Sequence, residues 1–401
     1  MRKLLHSLFI LFLNVFFVVS INAQSVTPGD SSGYSYFKVA NAYFQVDPAF
    51  GSRISSLKID GNEMMFVDRS YGAGFLWGAT LWYSPGGYPP PAALDQDPYS
   101  GGIHGDSITL LSDVDETNGT FLRFRKTFHA DLSDTSITVN YTMINAGLSD
   151  YSCSAWELTR VPPSGGMAFF PYGEGEITSS GDLASYVEKE NGIAWYKYES
   201  SHTAAQKFFS DGSEGWSAFL NSDRELYIRK FKDVPYLKQA PGESEIELWL
   251  NSSDTYIELE VQSEYKSIAA GDSVVWTSKW YVRDLPSSIS TAVGSAGLIS
   301  YVRDIIKDHV VPVNSIQDLS IDAFTLYPNP VADRLTIESK IDLAKDSYLT
   351  VYNLQGQIAL MKKLMINRSV IDVSALANGL YIYEIAGTNV QYHRGKIIVK
   401  R

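Results

Sequence analysis

Two carboxylates and an amide alternate with aliphatic residues in Tyr256-Ile257-Glu258-Leu259-Glu260-Val261-Gln262. As a strand, this segment puts Ile257, Leu259 and Val261 on one face and Glu258, Glu260 and Gln262 on the other. The apolar face belongs to a core, and the polar face meets water or a ligand. Carboxylates on such a face can move protons or accept hydrogen bonds from hydroxyls; a solvated strand face with scattered acids is the plain alternative. Upstream, Trp77, Trp82, Tyr83, Tyr88 and Tyr99 crowd one region together with Asp95 and Asp97. Flat rings match the apolar face of a pyranose and acidic groups match its hydroxyls, so this region reads either as one wall of a sugar site or as a proline-stiffened cover over a sheet. Arg53, Arg160 and Gln262 are further polar candidates for the same ligand. His129 and His202 have no evident partner and read as structural. Asp113, Asp115 and Glu116 have calcium-binding chemistry but read as a hairpin tip.

The remaining composition narrows the function. Asp and Glu number 45 against 33 Lys and Arg, a formal charge of -12, which argues against a nucleic-acid partner because phosphate binding draws on clustered cations. Cys153 is the single cysteine, so no intramolecular disulfide forms and no Cys and His spacing describes a zinc site. There is no Gly-x-Ser-x-Gly elbow, no phosphate loop and no His-Glu-x-x-His helix; no cofactor or metal is expected.

The elements that must position these groups are strands. Period-two alternation recurs at Tyr36 to Val46, Gly51 to Ile59, Ile108 to Leu111, Phe121 to Phe128, Ser136 to Ile144, Glu225 to Phe231, Glu245 to Leu250, Tyr256 to Gln262 and Ser273 to Tyr281. Turn residues separate them and helical periodicity is nearly absent. Residues 34–285 therefore read as one all-β domain, a large antiparallel supersandwich too long for an immunoglobulin-like fold. Before it, Arg2 and Lys3, an apolar run from Leu8 to Val19, and Ala23 ahead of Gln24 have the order of a signal peptide over residues 1–23, cleaved to leave a mature protein without a transmembrane helix. After it, 286–320 reads as a linker with a short amphipathic piece from Ile299 to Val310. Residues 321–401 form short alternating strands, a second, small β-sandwich.

Motifs within these segments carry two resemblances. Tyr327-Pro328-Asn329-Pro330, Val351-Tyr352-Asn353-Leu354-Gln355-Gly356, Leu376-Ala377-Asn378-Gly379-Leu380-Tyr381 and the terminal Lys396-Ile397-Ile398-Val399-Lys400 resemble the C-terminal sorting domain of type IX secretion in the Bacteroidetes. That resemblance implies engagement of the type IX secretion machinery and a secreted or outer-membrane cell-surface location. Leu259-Glu260-Val261-Gln262 departs at one residue from the Leu-Glu-Thr-Gln motif of the galactose mutarotase-like superfamily. Phe50-Gly51-Ser52-Arg53 and Asp60-Gly61-Asn62 resemble its first strands, and Ser267 through Tyr281 its last. An uncharacterised bacterial branch is similar also in Trp82-Tyr83-Ser84-Pro85, Tyr88-Pro89-Pro90-Pro91 and Asp95.

In that family the Glu acts as general base in aldose epimerisation, a role that falls on Glu260, while an acid protonates the ring oxygen. His104 stands about where one family histidine falls. The second is missing, and Trp156 and Glu157 occupy its neighbourhood; Glu157 is either a substitute acid or an ion-pair partner of Arg160. Three readings stay open: a carbohydrate-active enzyme, a carbohydrate-binding domain without catalysis, and a surface structural module.

Overall fold

The computed structural model describes residues 25–117, 119–202, 205–307, 324–339, 347–353, 358–365, 368–387 and 390–401. The leader expected at 1–23 lies outside them. The large domain is built from two antiparallel sheets. In the first, the strand order runs Gly29–Ser31, Tyr34–Val39, Ala42–Asp47, Arg53–Ile59, Ala79–Ser84, Tyr151–Val161, Ile257–Gln262, Ile246–Leu250, Gln206–Ser210, Thr178–Ser179. Two short strands, Asn62–Glu63 and Lys266–Ile268, join it at Arg53–Ile59 and Tyr151–Val161. The second sheet runs Val187–Glu190, Ile193–Lys197, Met167–Pro171, Trp216–Leu220, Glu225–Phe231, Ser273–Asp284, Ser136–Asn145, Leu122–Asp131, Ser107–Leu111, Ser100–His104.

Alternate residues of both sheets meet in one core that includes Phe44, Leu81, Ala155, Leu259, Val261, Tyr141, Tyr227 and Trp280. This is the all-β double sheet that the alternation predicts. The segment read as continuous from Tyr36 to Val46 is instead a hairpin, reversing at Ala40, whose φ of 51° is left-handed. Strands that show no alternation in the sequence, such as Met167–Pro171 and Trp216–Leu220, are buried at every position. Their outer faces are covered by the helix Ala296–Ile306, whose Leu298, Ile299, Val302 and Ile306 pack on Phe169, Trp195, Trp216 and Ile228. Part of the segment expected to be a linker is thus a covering layer of the large domain. Ser295 caps this helix, its Oγ accepting from the Leu298 amide at 3.2 Å.

The intersheet core holds a costly group at Lys126. Lys126 is 1% exposed and its ammonium donates to the Gly51 carbonyl at 2.7 Å. Burial lowers its pKa to about 7, with Asp95 and Glu157 opposing that fall and Arg53 adding to it. An unfolded lysine titrates near about 10.4, so between about pH 7 and 10 the unfolded chain holds a proton that the folded chain lacks, and stability rises with pH. Replacing Lys126 with methionine is expected to remove this contribution, roughly 4 kcal/mol across that window at about 1.4 kcal/mol per unit. Urea midpoints of the two proteins at several pH values read it as a difference; parallel curves would mean that Lys126 stays charged in the fold.

The small C-terminal domain has two sheets, Phe324–Tyr327, Arg334–Ser339, Arg368–Asp372 and Ile358–Lys363, Tyr348–Tyr352, Gly379–Gly387, Val390–Val399. They close on Leu335, Ile337, Leu349, Val351, Ile385 and Ile397, the second sandwich expected at this end. No helix among the described residues is long and apolar enough to cross a membrane.

Candidate functional site

The outer face of the first sheet carries the chemistry. Ile257–Gln262 pairs with Tyr151–Val161 so that Glu258 lies opposite Arg160 and Gln262 opposite Trp156; on its other side Glu260 lies opposite Glu247. Tyr151–Val161 in turn sets Trp156 opposite Trp82 on Ala79–Ser84. Since side chains on paired residues share a face, register alone gathers Trp82, Trp156, Arg160, Glu247, Glu258, Glu260 and Gln262.

At the centre of the gathering is Lys207, from the neighbouring strand Gln206–Ser210. Its ammonium lies 2.5 Å from Glu247 Oε2, 2.8 Å from Glu260 Oε2 and 3.9 Å from Glu243 Oε2. It also stands over the Trp156 ring at 4.4 Å. Burial opposes the charge on Lys207, but Glu260 and Glu247 outweigh it and hold the pKa above the ordinary lysine value. Trp156 Nε1 donates to Glu260 Oε2 at 2.7 Å, which locks the indole and the carboxylate to each other. Gln262 Nε2 donates to Glu243 Oε2 at 3.3 Å. Next along the face, Arg160 Nη2 approaches Glu258 Oε1 at 2.7 Å. Burial raises Glu258 to about 7, Arg160 pulling against it and Glu260 adding to it.

A buried layer supports Trp82. Asp95 and Arg53 are both wholly buried and paired at 2.7 Å. Asp95 Oδ1 also accepts from Thr80 Oγ1 at 2.7 Å and from Trp82 Nε1 at 2.9 Å. Arg53 Nη1 donates to the carbonyls of Phe75 and Trp77 at 2.8 Å each, tying the 72–78 loop to the sheet. Gly51 lets the Asp95 backbone come close: at φ 61°, a Cβ there would lie 1.9 Å from the Asp95 carbonyl oxygen. The indole of Trp82 meets Trp156 edge to face at 5.3 Å. Tyr88, 68% exposed, stands over this pair from the rim, its ring 6.3 Å from Trp82 and 6.1 Å from Phe75.

The residues singled out in the sequence therefore separate into three sets. Glu260, Gln262, Trp156, Arg160, Trp82 and Tyr88 share one face. Arg53, Trp77 and Asp95 are buried beside it; Trp77 is 1% exposed, with the guanidiniums of Arg53 and Arg69 5.0 and 4.4 Å from its ring centre. Glu157 and His104 lie elsewhere. Glu157 points to the opposite face of its strand, between the sheets, where Tyr141 Oη and Trp280 Nε1 donate to it at 2.9 and 3.1 Å and Arg229 lies 3.9 Å away. Burial raises its pKa, with Arg229 opposing. Arg160 pairs with Glu258, so the Glu157 to Arg160 ion pair, one of the two sequence alternatives, does not form, because strand residues three apart face opposite ways. His104 ends an exposed edge strand of the other sheet, where its carbonyl accepts from Ser107 Oγ. His202 stacks on Tyr186 at 3.8 Å, away from this face, and Asp115 accepts from Thr117 and Thr120 within its own turn. Lys207, Glu243 and Glu247 are the members that sequence reasoning missed. The alternation of Glu245 to Leu250 marked a strand, but nothing in the local sequence marks Lys207 as their common partner.

Residues 325–400 match the secretion system C-terminal sorting domain family. The chain is exported by type IX secretion. The sorting domain addresses it to the cell surface or the extracellular space, and through this domain it meets the secretion machinery. Among curated proteins none matches the chain. Solved structures similar to it include a galactose mutarotase-like protein from Lactobacillus casei, at 11% identity and TM-score 0.46, covering 63% of this chain and 100% of that one. A galactose mutarotase-like protein from Clostridium acetobutylicum aligns at 9% identity and TM-score 0.43, covering 65% and 98%. A TPR-domain containing protein from Parabacteroides distasonis aligns at 14% identity and TM-score 0.47 over 65% of this chain, which spans about half, 49%, of that protein.

Proposed function

We propose that the exported chain binds carbohydrate on the outer face of its first sheet, with Trp156, Trp82 and Tyr88 as the stacking surfaces and Glu258, Glu260, Gln262, Lys207 and Arg160 as partners for sugar hydroxyls. The juxtaposition of indole faces with paired carboxylates and cations on adjacent strands carries this reading. A pyranose offers one apolar face and a ring of hydroxyls, and a site for it needs both kinds of surface within a few ångströms. Binding is favoured over catalysis because the Glu157 carboxylate turns to the opposite face from Glu260 and His104 lies on the other sheet.

A second reading, epimerisation of an aldose with Glu260 as the base, rests on Glu258. Its carboxyl is pushed up to about 7, so near neutral pH it holds a proton part of the time, and it lies two residues along the same face from Glu260. The test is a proton NMR titration of the full secreted chain with a panel of glycan oligomers and freshly dissolved single anomers. Wild type is expected to broaden the resonances of at least one glycan, and Trp156→Ala to weaken that binding by about tenfold or more. Anomer exchange above the blank that disappears in Glu260→Gln would establish the epimerase reading instead. No effect on any sugar would leave a structural module.

A further inference from the structure

Carboxyl groups outnumber cations on this face. Glu243, Glu247, Glu258 and Glu260 are set against Lys207 and Arg160, the cations that ion pairs bring to them among the described residues. One buried acceptor on this face also lacks a donor. Gln262 is 2% exposed; its Nε2 is spent on Glu243, and its Oε1 finds no donor among the described residues. Glu243, at the rim with its side chain 20% exposed, has Lys207 only at 3.9 Å. Burial pushes the Glu247 carboxyl up despite Lys207, with Glu260 and Glu243 adding to the rise, and does the same at Glu258 despite Arg160, with Glu260 adding.

From the acceptor surplus and the unpartnered Gln262 oxygen, beside the indole of Trp156, we infer that the preferred ligand is an amino sugar, whose ammonium sits among Glu243, Gln262 and Glu260 while its ring lies on Trp156. This rests on the carbohydrate reading above and sharpens it. An ammonium supplies both missing things at once, a positive charge and three donors, and the partly desolvated carboxylates bind it more strongly than carboxylates in open water would. A neutral sugar supplies donors alone, and a uronic acid adds a further negative charge to a face that already has too many.

The decisive comparison is calorimetric binding of the full secreted chain to a glucosamine tetramer and to its fully N-acetylated counterpart, near about pH 6 where the amine is charged, alongside neutral glucan and uronate oligomers. The amine form is expected to bind about tenfold tighter than the acetylated form, and the preference to shrink with added salt and to vanish in Glu243→Gln. Tryptophan emission of the variant against wild type checks that its fold is intact, and Gln262→Leu offers an independent substitution on the same face with the same expected loss. Equal affinities, a uronate bound tighter than both, or a preference that survives both substitutions would overturn the amino-sugar assignment and leave the carbohydrate reading standing. Failure of every oligomer to bind would remove the carbohydrate reading, and this one with it.

Discussion

Asp95→Ala is expected to destabilise the large domain by about 3–5 kcal/mol and to abolish glycan binding in the same step. The carboxylate is wholly buried and its Oδ1 accepts from three donors, Arg53, Thr80 and Trp82. Without it, Arg53 keeps carbonyl partners at Phe75 and Trp77 but loses its countercharge, and the Trp82 N–H loses its acceptor. An unpaired buried charge is the expensive outcome, whereas removing both charges together is cheap. The double variant Arg53→Met with Asp95→Leu should therefore recover much of the urea midpoint lost in the single variant, yet stay deficient in binding because Trp82 is no longer anchored. A single-variant cost below about 1 kcal/mol would show that the Arg53–Asp95 pair does not support this part of the sheet.

Glu157→Leu is expected to cost about as much, again about 3–5 kcal/mol, but to leave the ligand face working in the molecules that remain folded. Its carboxylate lies between the sheets, takes hydrogen bonds from Tyr141 and Trp280, and neighbours Arg229, which is 2% exposed and otherwise donates to the Leu259 carbonyl. Leucine removes all three interactions and strands the guanidinium. Glu157→Gln keeps an acceptor for Tyr141 and Trp280, so its loss should be milder, about 1–3 kcal/mol. Urea melts measure the stability, and titration with a glycan that wild type binds measures the face. A Glu157→Gln variant that is fully stable yet cannot act on or bind that glycan would return Glu157 to the site.

Much of this architecture is legible from short-range pattern. Alternation at Leu122–Asp131 and Ser273–Asp284 reports one buried face per strand, and turn residues report where strands end. Where both buried faces are largely apolar, as at Met167–Pro171 and Trp216–Leu220, alternation vanishes and the strands go unread, whereas Ile257–Gln262, buried on both faces, stays legible because one of them is polar. The helix at Ala296–Ile306 shows the same limit from the other side: its amphipathic pattern is visible locally, but the sheet that receives its apolar stripe is remote in sequence.

By itself, then, the sequence determined an all-β chain with a sorting domain at its end, because period-two burial and the sorting motifs are properties of contiguous residues. It also determined that Glu258, Glu260 and Gln262 share a face, since a strand admits no other arrangement. Only the tertiary structure decided what they share it with. Lys207, Glu247, Trp156 and Arg160 reach that face through strand order and register, and Glu157 leaves it by a one-residue offset from Trp156. Pairing partners are selected by long-range packing of the two sheets, and one step of register exchanges the ligand face for the core.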